Sequence, residues 1–313
     1  MAVEFIPDVV YATPNGRSLL LDLHLPNDGK RPLPVIIWLH GGGWRFGDRR
    51  LAPDLKRYFA EYGFAMISID YRLSEEVTFP APVHDVKAAI RWVRAHAGQY
   101  GLDGQRIGLW GSSAGAHLGL LAALSGDTAL EAETAEHAPQ PVTVQAVVEG
   151  YGPTDFSQMD AHRQPIPPEE DDPESVRMPP GKKTADPDSF ESLLLGAPIG
   201  ERPDLVEAAN PITYVRPAAP PILILHGLSD GAVPAHQSEL LYDALAAHDS
   251  DVTLYLAKGV GHGFLNRNEF DKPPPPAIVR KNRPGQTEER LTNVPLTFAT
   301  IEAFFRQHLG DTA

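Results

Sequence analysis

The sequence predicts an α/β architecture: a mostly parallel, twisted sheet with helices on both faces and a loop-rich cap insertion. Three observations carry this prediction. Several short runs are apolar throughout, such as VIIWLH at 35–40, FAMISID at 64–70 and ILILH at 222–226. Continuous apolar runs of this length suit strands buried on both faces. The segments between them carry apolar residues at helical spacing. The two kinds of segment alternate along the chain, the order that yields parallel strands joined by crossover helices.

The elements follow in order. Residues 9–12 and 19–25 flank Pro14-Asn15-Gly16, a turn signal, and read as an N-terminal hairpin. The strand at 35–40 is followed by a helical stretch at 53–62 and the strand at 64–70. Residues 83–97 (VHDVKAAIRWVRAHA), with Pro82 at their start, form an amphipathic helix. The strand RIGLW at 106–110 runs straight into Gly111, and an Ala/Leu-rich helix covers 114–124. Strands at 142–148 and 222–226, a helix at 235–248, a strand at 252–257 and a closing helix at 297–308 complete the series. Two stretches break the rhythm. Residues 160–189 carry many prolines and the acids Glu169, Glu170, Asp171 and Asp172, and read as a cap over the sheet edge. Residues 271–292, with four consecutive prolines at 273–276 and the basic Arg280, Lys281 and Arg283, read as a proline-rich surface excursion. No repeat is present, and residues 1–313 read as a single domain.

Composition excludes several functions. Lys and Arg number 27 against 41 Asp and Glu, a net charge of −14, which repels nucleic-acid backbones and anionic lipid. There is no cysteine, so disulfides, thiolate metal sites and cysteine nucleophiles are ruled out. No histidines show H-E-x-x-H spacing, and neither metal nor cofactor is expected. No run of about 18 apolar residues could span a membrane. The N-terminal segment lacks a basic start followed by an apolar core, so the expectation is a cytoplasmic protein; a secreted form with a trimmed N-terminus would read the same. The closing helix and exposed sheet edge would allow a homodimer.

The chemistry centres on Gly111-Ser112-Ser113-Ala114-Gly115, a G-x-S-x-G between a strand and a helix. A turn this tight holds Ser113 in a strained conformation, needs neighbours without side chains, and aims the helix N-terminus at the hydroxyl. Directly after the first buried strand comes His40-Gly41-Gly42-Gly43-Trp44. Its glycine amides can crowd an oxyanion, so the expected oxyanion hole is Gly42, Gly43 and the amide of Ala114. A serine nucleophile needs a base and the base an orienting acid, in the chain order Ser, acid, His. Among 12 histidines, His262, between Gly261 and Gly263 in a loop after a strand, is the expected base. Asp230, in a loop just past ILILH, is the expected acid, and Asp155 the runner-up, more readily a turn or helix cap. His24, His40 and His226 lie on or end strands and read as structural. Trp44, Tyr151 and Phe264 could line a substrate pocket or serve as packing at strand ends.

These motifs, with DYRL at 70–73, HDVKAAIRW at 84–92, RIGLWGSSAGAHL at 106–118, YGPTDF at 151–156, HGxxDxxVP at 226–234 and GHGF at 261–264, resemble those of α/β-hydrolase carboxylesterases. The branch they most resemble is that of bacterial feruloyl and acetylxylan esterases, related to hormone-sensitive-lipase-like esterases. The resemblance covers nearly the whole chain and implies Ser113 as nucleophile, Asp230 as acid and His262 as base. Asn210 stands where such relatives usually carry serine, and the 160–189 stretch is unusually rich in proline and acid. The expected reaction is hydrolysis of a small-molecule ester with a short or compact aromatic acyl group through an acyl-enzyme. A formamidase of the kynurenine-formamidase type is the alternative; a non-catalytic ligand-binding member of the fold is a third reading, disfavoured by the complete set of Ser113, Asp230 and His262.

Overall fold

The computed structural model describes residues 2–127, 129–132, 135–164 and 183–310. Its elements are β1 (Val3–Ala12), β2 (Leu19–Pro26), β3 (Leu33–Leu39), α1 (Leu55–Tyr58), β4 (Ala65–Ile69), α2 (Ala81–Ala95), α3 (Ala97–Tyr100), β5 (Leu102–Ser112), α4 (Ala114–Ser125), β6 (Ala146–Gly150), α5 (Met159–His162), α6 (Phe190–Leu195), α7 (Pro203–Ala208), β7 (Ile222–Gly227), α8 (His236–Ala247), β8 (Val252–Ala257), β9 (Pro276–Asn282), β10 (Glu289–Pro295) and α9 (Phe298–Leu309).

Among the described residues the strands form one ten-stranded sheet in the order β1-β2-β4-β3-β5-β6-β7-β8-β9-β10. The central strands from β4 to β8 pair in parallel, and the hairpins β1/β2 and β9/β10 add antiparallel edges. This is the α/β-hydrolase arrangement. The apolar runs show why the central strands needed no alternation. In β3, Val35, Ile37 and Leu39 enter the core on one face while Ile36 and Trp38 enter the core on the other. In β7, Ile222 and Ile224 face one way, Leu223 and Leu225 the other. Helices α2, α4 and α8 cover the first face; α1 and α9 cover the second.

Three expectations change. The stretch 271–292 is not a surface excursion: half of it is strand. β9 pairs antiparallel with β8, from Val252↔Asn282 to Ala257↔Ala277, and β10 pairs with β9. Ala277 and Val279 are fully buried on it. The prolines precede the strand or take its first position, where a missing N–H costs no ladder bond. The helix expected at 53–62 is one α turn, α1, followed by a 3₁₀ turn at Ala60–Tyr62. Phe59 between them leaves helical geometry (φ −136°) and is completely buried. The strand expected from 142 begins at Ala146. Most of the expected cap at 160–189 lies outside the described residues.

Trp110 on β5 is fully buried, edge-on to Trp38 at 4.5 Å and tilted against Phe59 at 4.7 Å. Replacing it with alanine should cost about 3–5 kcal/mol, read as a lower urea midpoint with an unchanged slope. A loss under about 1 kcal/mol would contradict this packing.

Candidate active site

The strand order reverses at β3. The chain leaves β3 for β4 on one side, and after β5 it moves to β6 on the other. Connections leaving in opposite directions open a crevice at the carboxyl ends of β3 and β5, the usual ligand position in open α/β sheets. The Gly41-Gly42-Gly43 loop and Ser113 sit at those two ends.

Ser113 separates β5 from α4 with φ 49° and ψ −120°, a conformation that side chains rarely adopt. Its N–H donates to Gly150 O at the end of β6 (2.7 Å). The turn is possible because of what Gly115 lacks. A Cβ there would lie 2.2 Å from Leu39 O and 2.4 Å from His40 O. The first turn of α4 is therefore seated directly on the end of β3, beside the glycine loop. Gly42 and Gly43 have φ of 109° and 60°. Gly42 O accepts from the N–H groups of Arg45 and Phe46, which curls the loop. His40 steadies its base: the ring stacks on Tyr71 at 4.2 Å, and Nδ1 is 2.7 Å from Gly41 O. As the first residue of α4, Ala114 has an amide without an intrahelical acceptor.

His262 follows β8 and Asp230 follows β7, and the structure brings both to Ser113. His262 Nε2 lies 2.9 Å from Ser113 Oγ, and His262 Nδ1 lies 2.7 Å from Asp230 Oδ2. All three are buried, at 6% exposure or less. The carboxylate can only accept, so Nδ1 carries the proton and the Nε2 lone pair faces the serine hydroxyl. Asp230 Oδ1 accepts from the amides of Ala232 and Val233, both at 2.8 Å. Burial alone would raise the Asp230 pKa. His262 and His226 beside it outweigh burial and hold the carboxyl well below the usual range.

The other sequence-predicted residues divide. Tyr151, with φ 45° at the end of β6, packs against the His262 ring at 4.8 Å. Trp44 is buried between His117 (5.1 Å) and Phe156 (5.6 Å), and Phe264 between Tyr151 and Phe270, both at 5.2 Å; these two rings are spent on packing. Asp155 caps the 3₁₀ turn at Phe156–Gln158, accepting from Ser157 N–H (3.0 Å), and is apart from His262's partners. Among the described residues no group of His, Asp and Glu is placed to hold a metal, and no helix is long and apolar enough to cross a membrane.

Three further residues at the site are not among those the sequence singles out. Phe190, the first residue of α6, lies so close to Gly43 that a Cβ on Gly43 would be 2.8 Å from its ring. Nothing in the sequence marks it. His226 reads in the sequence only as structural, yet its Nε2 is 3.2 Å from Asp230 Oδ2. The four-residue spacing across a tight loop is its signal. Glu149 is fully buried in β6, and a single acid in an otherwise apolar run (AVVEG) is the signal there.

The BD-FAE family model matches residues 21–245. The chain belongs to the BD-FAE family. Esterase LipQ of Mycobacterium tuberculosis (strain ATCC 25618 / H37Rv) is 37% identical over 245 residues, 76% of this chain and 52% of LipQ. The chain thus spans about half the length of the curated relatives it matches. Among solved structures, a truncated form of a carbohydrate esterase from gut microbiota superposes with a TM-score of 0.71 at 29% identity, over 86% of this chain and 94% of that one. Native esterase 2 of the planctomycete Thermogutta terrifontis superposes with a TM-score of 0.65 at 27% identity, over 86% of this chain and 85% of that one. That esterase has also been solved phosphorylated by paraoxon and with butyrate bound. None of these proteins is named a formamidase.

Asp230 gives a pH test. A pKa depressed on folding stabilises the fold above the unfolded carboxyl value of about 3.9, and that stabilisation is lost as the pH falls below it. Asp230→Asn keeps the shape without the charge. Its stability deficit in urea should therefore be larger at about pH 5 than at about pH 3. A deficit that grows on acidification would mean the carboxyl is neutral in the folded protein.

Proposed function

We propose that the chain is a serine carboxylesterase working through an acyl-enzyme. The observation that carries this is the unbroken contact from Ser113 Oγ to His262 Nε2 (2.9 Å) and from His262 Nδ1 to Asp230 Oδ2 (2.7 Å), in a crevice edged by the glycine loop. His262 takes the proton of Ser113 as its oxygen attacks the ester carbonyl. The amides of Gly42, Gly43 and Ala114 receive the oxyanion, helped by the positive end of α4. His262 then protonates the departing alcohol. Water, deprotonated by the same nitrogen, cleaves the acyl-serine and releases the acid. Asp230 keeps His262 in the tautomer that can accept, and stabilises the imidazolium that forms in each step.

The substrate is a small ester with a short or compact aromatic acyl group. The related esterase with bound butyrate and the related carbohydrate esterase support this class. Tyr151, against the base, lines the pocket, while Trp44 and Phe264 buttress it. The described end of the expected cap, residues 183–189, leads to the edge of the site within a single domain. The position of Phe190 against Gly43, immediately after that stretch, supports this reading.

Hydrolysis of p-nitrophenyl esters from acetate to palmitate, with methyl ferulate alongside, tests the proposal. Turnover should peak at short acyl chains. Ser113→Ala should fold normally and lose kcat by about a millionfold, since the three side chains act as a unit. Paraoxon should add one phosphoryl group, located on Ser113 by mass spectrometry. Turnover that survives in Ser113→Ala would overturn the nucleophile, and a palmitate optimum would overturn the substrate class.

A further inference from the structure

Asp230 does not end the chain of buried polar contacts. Behind it, His226 on β7 places Nε2 3.2 Å from Asp230 Oδ2 and 2.9 Å from Val233 O. Its Nδ1 is 2.7 Å from Ser238 Oγ on α8, and Ser238 Oγ is 3.4 Å from Glu149 Oε2 on β6. The other oxygen of Glu149 accepts from the N–H of Gly152. His226, Ser238 and Glu149 are all completely buried.

We infer that His226 is a positioning residue for Asp230, held in a donating state by Ser238 and Glu149, so that the carboxylate is aimed at His262 by a buried chain reaching β6. The inference rests on Asp230 being the residue that orients His262.

The proton inventory supports it. Val233 O is a carbonyl and can only accept, so His226 Nε2 carries a hydrogen, shared with Asp230 Oδ2. If the ring is neutral, Nδ1 is an acceptor and takes the single hydroxyl proton of Ser238. The Ser238 oxygen can then only accept from Glu149, and a carboxyl donates only when protonated. If the ring is charged, Nδ1–H donates to Ser238, whose hydroxyl donates to ionised Glu149. One proton moves along each of the two contacts to convert the first arrangement into the second. In both, one proton is shared between Glu149 and His226, and the cluster with Asp230 carries one net negative charge. Removing that proton would leave two lone pairs facing one another and two negative charges buried together, an expensive state. Burial pushes Glu149 up to about 7, against the opposing pull of His226, the Gly152 amide and Ser238, so its carboxyl is able to hold the shared proton. A neutral His226 leaves the charge of Asp230 available to His262. A charged one would compete for it.

Three variants test the chain: Ser238→Ala, Glu149→Leu and Glu149→Gln. The amide introduced by Glu149→Gln can reproduce the protonated carboxyl, its oxygen accepting from Gly152 and its N–H donating to Ser238. Ester turnover and the downfield proton resonance of His262 Nδ1–H are read in each, with circular dichroism as a check on folding. Ser238→Ala and Glu149→Leu should lower kcat about tenfold, the worth of one hydrogen bond in the transition state, leave KM within about twofold, and shift the resonance. Glu149→Gln should recover most of what Glu149→Leu loses. Unchanged kcat and resonance in folded Ser238→Ala would overturn the inference, and so would equal losses in the two Glu149 variants. If Glu149→Leu does not fold, Ser238→Ala, which removes one oxygen, decides alone. Turnover that survives in Ser113→Ala would sink the esterase reading instead. The resonance needs no turnover and would still report on the chain.

Discussion

Everything at the site depends on how closely the first turn of α4 sits on the end of β3. At Gly115 the backbone of the helix meets the carbonyls of Leu39 and His40 with no room for a single carbon. That contact forces the abrupt turn at Ser113 and brings the orphan amide of Ala114 beside the glycine loop. It also imposes on Ser113 a conformation costing on the order of 1–3 kcal/mol. The cost is met by rigid surroundings. β5 is paired on both sides, to β3 and β6, and Ser113 N–H is held by Gly150 O. A looser sheet would relax the turn, and the hydroxyl would leave the reach of His262.

Among the described residues, Asp230 is paired with imidazoles and not with lysine or arginine. Elsewhere the protein pairs buried and half-buried carboxylates with guanidinium groups: Arg72 binds Asp85 at 2.7 Å, and Arg49 joins Asp22 and Asp70. Asp230 instead receives two backbone amides and two imidazoles. A permanent cation would hold the carboxylate's charge at all times and weaken its response to His262. In the proposed reaction, imidazoles and amides would orient the carboxylate while leaving its field for the moment at which His262 becomes charged.

How much of this was legible depended on whether the determining pattern was local. The central strands were legible because burial on both faces leaves uninterrupted apolar runs. The meeting of Ser113, Asp230 and His262 was legible because each sits close to glycine in a turn or loop just past a strand. β9 was hidden because its buried residues are only Ala277, Val279 and Asn282, among prolines and basic side chains. The helix at 53–62 broke because burying Phe59 took precedence over local propensity. Glu149, Ser238 and His226 come from β6, α8 and β7, and no spacing along the chain records that they meet. Phe190 reaches Gly43 only through the tertiary fold.

The ends of the central strands are joined in steps. Ser113 after β5 donates to Gly150 at the end of β6, and Tyr151 after β6 donates to Leu225 in β7. Leu228 after β7 donates to Ala257 at the end of β8. This staircase of amide-to-carbonyl bonds uses only main-chain atoms, so it does not depend on which side chains the intervening connections carry. Those connections can therefore lengthen, shorten or change composition over evolutionary time while the reactive groups keep their mutual distances. In such a molecule the repertoire of substrates can diversify faster than the chemistry, and loop exchange is the natural route for redesigning one without disturbing the other.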